Sequence, residues 1–333
     1  MDKRTGQALW TYNIKQDGNQ SSFHGRILMS GSLVLVGTDR GTDPAADGHI
    51  YAFEAATGQV VWKSPMGTGV STDLLLDGFR LIAYGANGEL FALDLRSGKP
   101  LWTKKIDDPG SDNYMPSPVL IDHTVFAATP GGSVVAVQSR DGASLWRTQL
   151  GPCRDLQLAS INSGLYVMNS GNVVYSDKYL FRLSRSSGQI TKRDKLPASL
   201  SFTPSEAADS FVIQLSDHTL RRIGINGILW TVKAGGELTT HQPLVLQNQV
   251  IVADATGKIA AWRLEDGAPQ WSTVFKDLKA PITTIGADSE MLYVGTQDGT
   301  LQAIRIPGLP AKEPGSKDSR GRFKKLSSEL KRD

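Results

Sequence analysis

The sequence predicts an all-β protein in which one small sheet is repeated around a ring, and three observations predict it. The same phrase recurs along the chain: an apolar strand, a small-residue turn ending in Gly, and a strand carrying Trp. The turn glycines Gly6, Gly58, Gly98, Gly142, Gly188, Gly227 and Gly267 stand 39 to 52 residues apart, a spacing that suits one sheet per repeat. A second apolar segment precedes each phrase, with turn residues between. Strand, turn, strand, turn, strand, turn, strand is a four-stranded antiparallel unit. The expected fold is therefore a seven-bladed β-propeller of four-stranded antiparallel blades closed by the N-terminal strand, with eight blades if the chain is cut from a longer parent.

The elements follow in order. Asp2, Gly6 and Trp10 superpose on Asp94, Gly98 and Trp102, so the chain opens in the back half of a repeat. Full phrases then run IYAFEAATGQVVW to Trp62, LFALDLRSGKPLW to Trp102 and VVAVQSRDGASLW to Trp146, with a later one, IAAWRLEDGAPQW, ending at Trp271. Two copies are degenerate: YLFRLSRSSGQITK has Lys192 where the Trp belongs, and TLRRIGINGILW reaches Trp230 one residue early. The second strands LVLVGT, LIAYG, VFAAT, LYVMN, FVIQL, VIVAD and LYVGT count seven blades. Inner strands are read in PSPVL, HQPLVL and APITTIG. The last repeat stops at Pro307-Gly308 without a Trp strand, and residues 7–14, QALWTYNI, are expected to supply it. Joining both chain ends in one blade removes an open sheet edge. Residues 1–310 are thus read as one propeller, and 311–333 as a basic, flexible tail.

The third strands are apolar on both faces, as in Leu90-Phe91-Ala92-Leu93, which fits sheets stacked face to face. A small residue recurs there at Ala52, Ala92, Ala136, Ala261 and Ala303. It leaves room for a neighbouring indole, and the turn Gly four residues before the Trp supplies a tight reversal. A Trp buries roughly 150–250 Å², on the order of several kcal/mol at about 25 cal/mol per Å². Trp10, Trp62, Trp102, Trp146, Trp230 and Trp271, with Gly58, Gly98, Gly142 and Gly267, are accordingly expected to dock one blade on the next. Trp262 lies off this series.

Composition narrows the function. No apolar run approaches the roughly 18 residues of a membrane span, and MDKRTGQALWTYNIKQ lacks the apolar core of a signal peptide. Cys153 is the sole cysteine, which excludes an internal disulfide and multi-cysteine metal sites. From Lys312 to Asp333 eight bases face four acids, a net of +4 on a chain of +3 overall, so the body is near neutral and no nucleic-acid partner is expected. The five histidines show no metal-binding or nucleophile spacing, and no phosphate-binding glycine loop is present. His24 and His241 precede inner strands and are candidates for the channel mouth. TDRGTDPAADGH, with Asp39, Asp43 and Asp47, departs from the calcium-loop pattern and reads as an irregular blade loop, with Asp43 a candidate partner contact. No catalytic, cofactor-binding or metal-binding residue is assigned. In the tail, Phe323, Leu326 and Leu330 stand at near-helical spacing amid charge, suited to an acidic partner or an anionic membrane surface.

The pattern Ala-x-Asp-x-x-x-Gly-Lys-x-x-Trp, complete at Ala92, Asp94, Gly98, Lys99 and Trp102, resembles the tryptophan-docking motif of quinoprotein (PQQ-type) propellers over nearly all of residues 1–306. That family includes PQQ-dependent dehydrogenases and the BamB type of outer-membrane assembly lipoprotein. The resemblance implies one of two functions. The first is a non-catalytic, cofactor-free protein-interaction scaffold of the bacterial cell envelope or periplasm. The alternative is a dehydrogenase or other small-ligand protein using the central funnel. The single cysteine excludes the vicinal disulfide of many such enzymes, and their calcium ligands find no matching positions here, so the scaffold is the expectation.

Overall fold

The computed structural model describes residues 8–17, 21–39, 48–107, 115–151, 156–162, 164–169, 178–234, 242–254, 256–274, 280–287, 291–296 and 300–306. They form seven antiparallel sheets, each a simple meander. Blade 1 holds β1 (Ser22–Ser30), β2 (Leu33–Asp39), β3 (His49–Glu54) and β4 (Val60–Pro65). Blade 2 follows with β5 (Leu75–Asp77), β6 (Arg80–Tyr84), β7 (Glu89–Asp94) and β8 (Pro100–Lys105). Blade 3 comprises β9 (Val119–Ile121), β10 (Thr124–Ala128), β11 (Ser133–Gln138) and β12 (Ser144–Gln149). In blade 4 these are β13 (Leu156–Ile161), β14 (Gly164–Asn169), β15 (Tyr179–Leu183) and β16 (Ile190–Lys195). Blade 5 has β17 (Ser205–Ala207), β18 (Ser210–Gln214), β19 (Thr219–Gly224) and β20 (Gly227–Lys233). Blade 6 has β21 (Leu244–Leu246), β22 (Gln249–Ala253), β23 (Lys258–Arg263) and β24 (Pro269–Val274). Blade 7 has β25 (Ile282–Ala287), β26 (Met291–Thr296) and β27 (Leu301–Arg305).

Packing explains the doubly apolar third strands. The four central residues of β3 and of β7 are all buried, because each sheet has a neighbour on either side. The hydrophobic cores lie between blades, not within them. Leu35, Ile50 and Trp62 of blade 1 pack with Leu81, Ala83 and Phe91 of blade 2, and the same arrangement recurs at each later junction through blades 6 and 7. The first strands of blades 2 to 7 lie side by side around the centre.

One local irregularity repeats. The pairing of third and fourth strands shifts by a residue just after Ala52, Ala92, Ala136 and Ala261, a β-bulge that sets each of these alanines opposite Trp62, Trp102, Trp146 and Trp271. The fixed spacing from Ala to Trp in the sequence is this bulge.

Among the described residues blade 7 has three strands, and residues 8–13 carry no strand; Ile14–Asp17 form a 3-10 turn. This segment lies on the face of blade 1 turned away from blade 2, where Trp10, Tyr12 and Ile14 cover Val36, Tyr51 and Phe53. Asp17 fastens its end, accepting hydrogen bonds from Tyr12 Oη at 2.6 Å and Tyr51 Oη at 3.0 Å, with Lys63 Nζ at 3.4 Å. The bond from Tyr12 outweighs burial and holds the Asp17 carboxyl below the ordinary carboxylate range.

Candidate functional site

Each blade junction is built around an indole. Trp62 Nε1 donates to Leu95 O at 3.0 Å, Trp102 to Ser139 O at 2.8 Å, Trp146 to Arg185 O at 2.6 Å and Trp230 to Leu264 O at 2.8 Å. Every acceptor lies in the turn between the third and fourth strands of the next blade, three residues before its turn Gly. Trp10 makes the same bond to Ala55 O at 2.8 Å, so it sits where a preceding blade would dock on blade 1. The indole ring lies flat on the turn glycine: a β-carbon at Gly58 would meet Trp10 at 2.4 Å, at Gly98 Trp62 at 2.5 Å, at Gly142 Trp102 at 2.9 Å and at Gly267 Trp230 at 3.0 Å. Trp271 donates within its own blade, to Gln249 Oε1 at 3.1 Å. Trp262 is buried with Trp230 between blades 5 and 6.

Junction 4–5 replaces this arrangement with cations. Arg182 stands in the Ala position, paired with Lys192 in the Trp position. Arg182 Nη1 donates to Ile225 O at 3.2 Å, taking over the bond an indole makes elsewhere, while Lys192 Nζ lies 3.6 Å from the β-carbon position of Gly227. Arg222 occupies the Ala position of blade 5 and reaches Leu264 O at 2.9 Å beside Trp230. Sequence reading noted the missing Trp but not the substituted hydrogen bond.

Blades 2 and 3 are also stapled by a polar group that no motif announced. Asp77 is buried, with Oδ1 at 2.7 Å from His123 Nδ1, and Ser139 Oγ donates to Oδ2. Burial raises the carboxyl, but these two hydrogen bonds more than offset it and the pKa is lowered. Ser139 and His123 both address the carboxylate, not each other, so the group staples blades and does not make a nucleophile.

The first strands of blades 1 to 6 line a central cavity of about 650 Å³. Its polar wall is tied together across blades. Arg26 Nε meets Asp73 Oδ2 at 3.0 Å and its backbone N donates to Asp73 Oδ1 at 2.9 Å; Asp73 N donates to Ser117 Oγ at 3.0 Å. On the far side Ser160 Oγ donates to Glu206 Oε1 at 3.2 Å. Arg26, Asp73, Ser117 and Glu206 come one per blade, which is why sequence reading passed over them. Gly25 permits the close approach of blades 1 and 2: its φ is +74°, and a β-carbon there would meet Thr72 O at 2.7 Å.

A quinone cofactor with calcium needs a flat seat and several converging oxygen donors. Among the described residues the cavity wall offers no aromatic side chain, its one cation, Arg26, is engaged by Asp73, and no three metal-capable side chains converge. These residues do not fit that group. Of the sequence-predicted contacts, His24 is exposed on β1. Asp43, His241, Cys153 and the tail lie outside the described residues, among which no helix is long and apolar enough to cross a membrane.

Comparison with known proteins places this architecture. A family model described as outer membrane protein assembly factor BamB matches residues 1–223 and 216–307. The protein of that name from Yersinia pestis is 26% identical over 323 residues, covering 91% of this chain and 78% of that protein. The one from Moranella endobia is 23% identical over 239 residues, 67% of this chain and 56% of that protein. Among solved structures, BamB from Moraxella catarrhalis has a TM-score of 0.68 at 19% identity, covering 89% of this chain and 88% of its own. The C-terminal WD40 domain of Sif2 has 0.69 at 13% identity, covering 90% and 84%. At such identities the structural likeness speaks for the fold alone.

Proposed function

Because the chain belongs to the outer membrane protein assembly factor BamB family, we propose that it acts in the bacterial cell envelope as a non-catalytic scaffold for assembling outer membrane proteins. Its mechanism is rigid display. Indole and cation docking fix the blades, and the loops that connect them present the mouth of the central cavity to an extended or edge strand of a partner. Residues 7–14 are part of this frame: Trp10 on Gly58 supports their assignment as the element joining the last blade to the first. The observation that carries the reading is the cavity wall. Polar groups of the wall are already tied across blades in two sets, Arg26 with Asp73 and Ser117, and Ser160 with Glu206, so that both carboxylates are engaged in a preorganised surface, and among the described residues no three metal-capable side chains converge there.

The test is site-specific photocrosslinking of the exported chain in Escherichia coli lacking its own BamB. A crosslinker at Ser117, Thr203 or Glu206 is expected to capture a component of the outer membrane assembly machinery, while one at Gln270 on the outer wall is not. Equal capture from all four positions, or from Gln270 alone, would contradict the assignment of the cavity mouth.

A further inference from the structure

The fourth strands form the outer wall of the ring. β4, β8, β12, β16, β20 and β24 carry eight Lys and Arg residues and a single acid, Asp194. Lysine on an open edge is an ordinary guard against unwanted strand pairing, so this belt alone assigns nothing. Two further features single out blades 4 and 5. The segment 178–195 holds Lys178, Arg182, Arg185, Lys192, Arg193 and Lys195 against Asp194, a net of +5 on a chain whose total is +3. Beside it, Ile190, Ile225, Ile228 and Leu229 are 40%, 38%, 52% and 51% exposed at the turn end of the same hairpins.

The two features meet at the turn end of the hairpin, where Leu183 pairs with Ile190 and Arg182 with Lys192; Lys178 and Lys195 lie toward its opposite end, where Tyr179 pairs with Lys195. Arg182 holds the carbonyl of Ile225, and Lys192 faces Gly227, the residue before Ile228. Arg193 lies 3.6 Å over the ring of Tyr179, which fixes a guanidinium on the outer wall. We propose that this rim of blades 4 and 5 is a docking surface for anionic phospholipid: the isoleucines of the turn enter the headgroup boundary and the surrounding cations meet lipid phosphates. Apolar turn tips ringed by Lys and Arg suit a soft charged surface. A peptide strand is the poorer occupant, because Lys192, Arg193 and Lys195 guard the β16 ladder edge. In a meander the turns joining first to second and third to fourth strands share one end. Docking by that end leaves the blade-connecting loops at the other end facing away from the membrane, free for a partner.

The test is sedimentation of the full chain with phosphatidylcholine vesicles, with and without phosphatidylglycerol, across a range of salt. Binding is expected only with phosphatidylglycerol, weakening with salt and resisting inorganic phosphate at matched ionic strength. At on the order of fivefold per neutralised cation, Lys192→Gln/Arg193→Gln is expected to lose tenfold or more. Ile225→Ser/Ile228→Ser is expected to weaken binding severalfold, whereas Lys99→Gln/Lys104→Gln on blade 2, equal in charge, leaves it unchanged. Melting temperatures check that each variant is folded. Absence of phosphatidylglycerol binding, displacement by free phosphate, or equal loss in the blade 2 variant would overturn the proposal. So would wild-type binding by both rim variants, which would hand the contact to the tail. Capture of soluble poly-glutamate in place of vesicles would reassign the rim to an acidic polypeptide.

Discussion

Replacing Gly98 by Ala isolates the energy of one docking unit. Gly98 has φ +68°, and its new β-carbon would lie 2.5 Å from Cε3 and 2.7 Å from Cδ2 of Trp62, whose ring is 8% exposed and has little room to move. The left-handed conformation costs about 1–2 kcal/mol for an L-residue, and overpacking adds about 1–3 kcal/mol, so the total is about 2–5 kcal/mol. Gly78 in the same blade supplies the control. Its φ is +61° and nothing lies within 4 Å of its β-carbon, so Gly78→Ala should show only the conformational part. Adding Trp62→Ala removes the obstacle, and the excess cost of Gly98→Ala should then vanish in a double-mutant cycle. Urea unfolding followed by far-ultraviolet circular dichroism measures all four variants. Equal costs for the two glycine substitutions, or an excess that survives in the Trp62→Ala background, would refute packing of the indole on the turn as the source.

Three other outcomes follow from named contacts. Asp77 has a lowered folded-state pKa, so its contribution is fully present above about pH 4 and is lost as pH falls through the folded value. Asp77→Asn should therefore cost about 1–3 kcal/mol at pH 7 and progressively less below pH 4, and a pH-independent difference in urea midpoints would contradict the staple. Arg222 is buried and bonds Leu264 O at 2.9 Å and Ser210 Oγ at 2.8 Å, whereas its partner Asp209 is largely exposed. Arg222→Ala should cost about 2–3 kcal/mol and Asp209→Ala under about 1 kcal/mol; equal costs in the same assay would count against this division. Deleting residues 1–14 takes Trp10 from Gly58 and uncovers Tyr51 and Phe53, lowering stability by several kcal/mol, on the order of one buried Trp. An unchanged melting temperature would remove residues 7–14 from the closing element.

The repeat was legible because it is local. The Ala, the bulge, the turn Gly and the Trp lie within eleven residues, so one phrase reports one hairpin, and repetition reports the ring. The polar staples were not legible, since Asp77, His123 and Ser139 meet only when blades 2 and 3 stack, and none belongs to a spaced motif. The cavity wall was hidden for the same reason, with Arg26, Asp73 and Glu206 each on a different blade. Lys192 was visible as a missing Trp, but its meaning required Arg182, which reaches the next blade's turn from the adjacent strand. Trp10 was read as part of a strand because Asp2, Gly6 and Trp10 keep the spacing of the back half of the repeat. The residues around it instead follow the aromatic face of blade 1 and end at the Asp17 hydrogen bonds.

The central claim is that this propeller serves as a scaffold without a quinone in its cavity. Titration of the purified chain with PQQ and calcium, following quinone absorbance and melting temperature together, tests it most directly. The account predicts no saturable spectral change and no rise in melting temperature. Saturable binding with a raised melting temperature, abolished by substitution at Arg26 or Asp73, would contradict it and make the cavity a cofactor site.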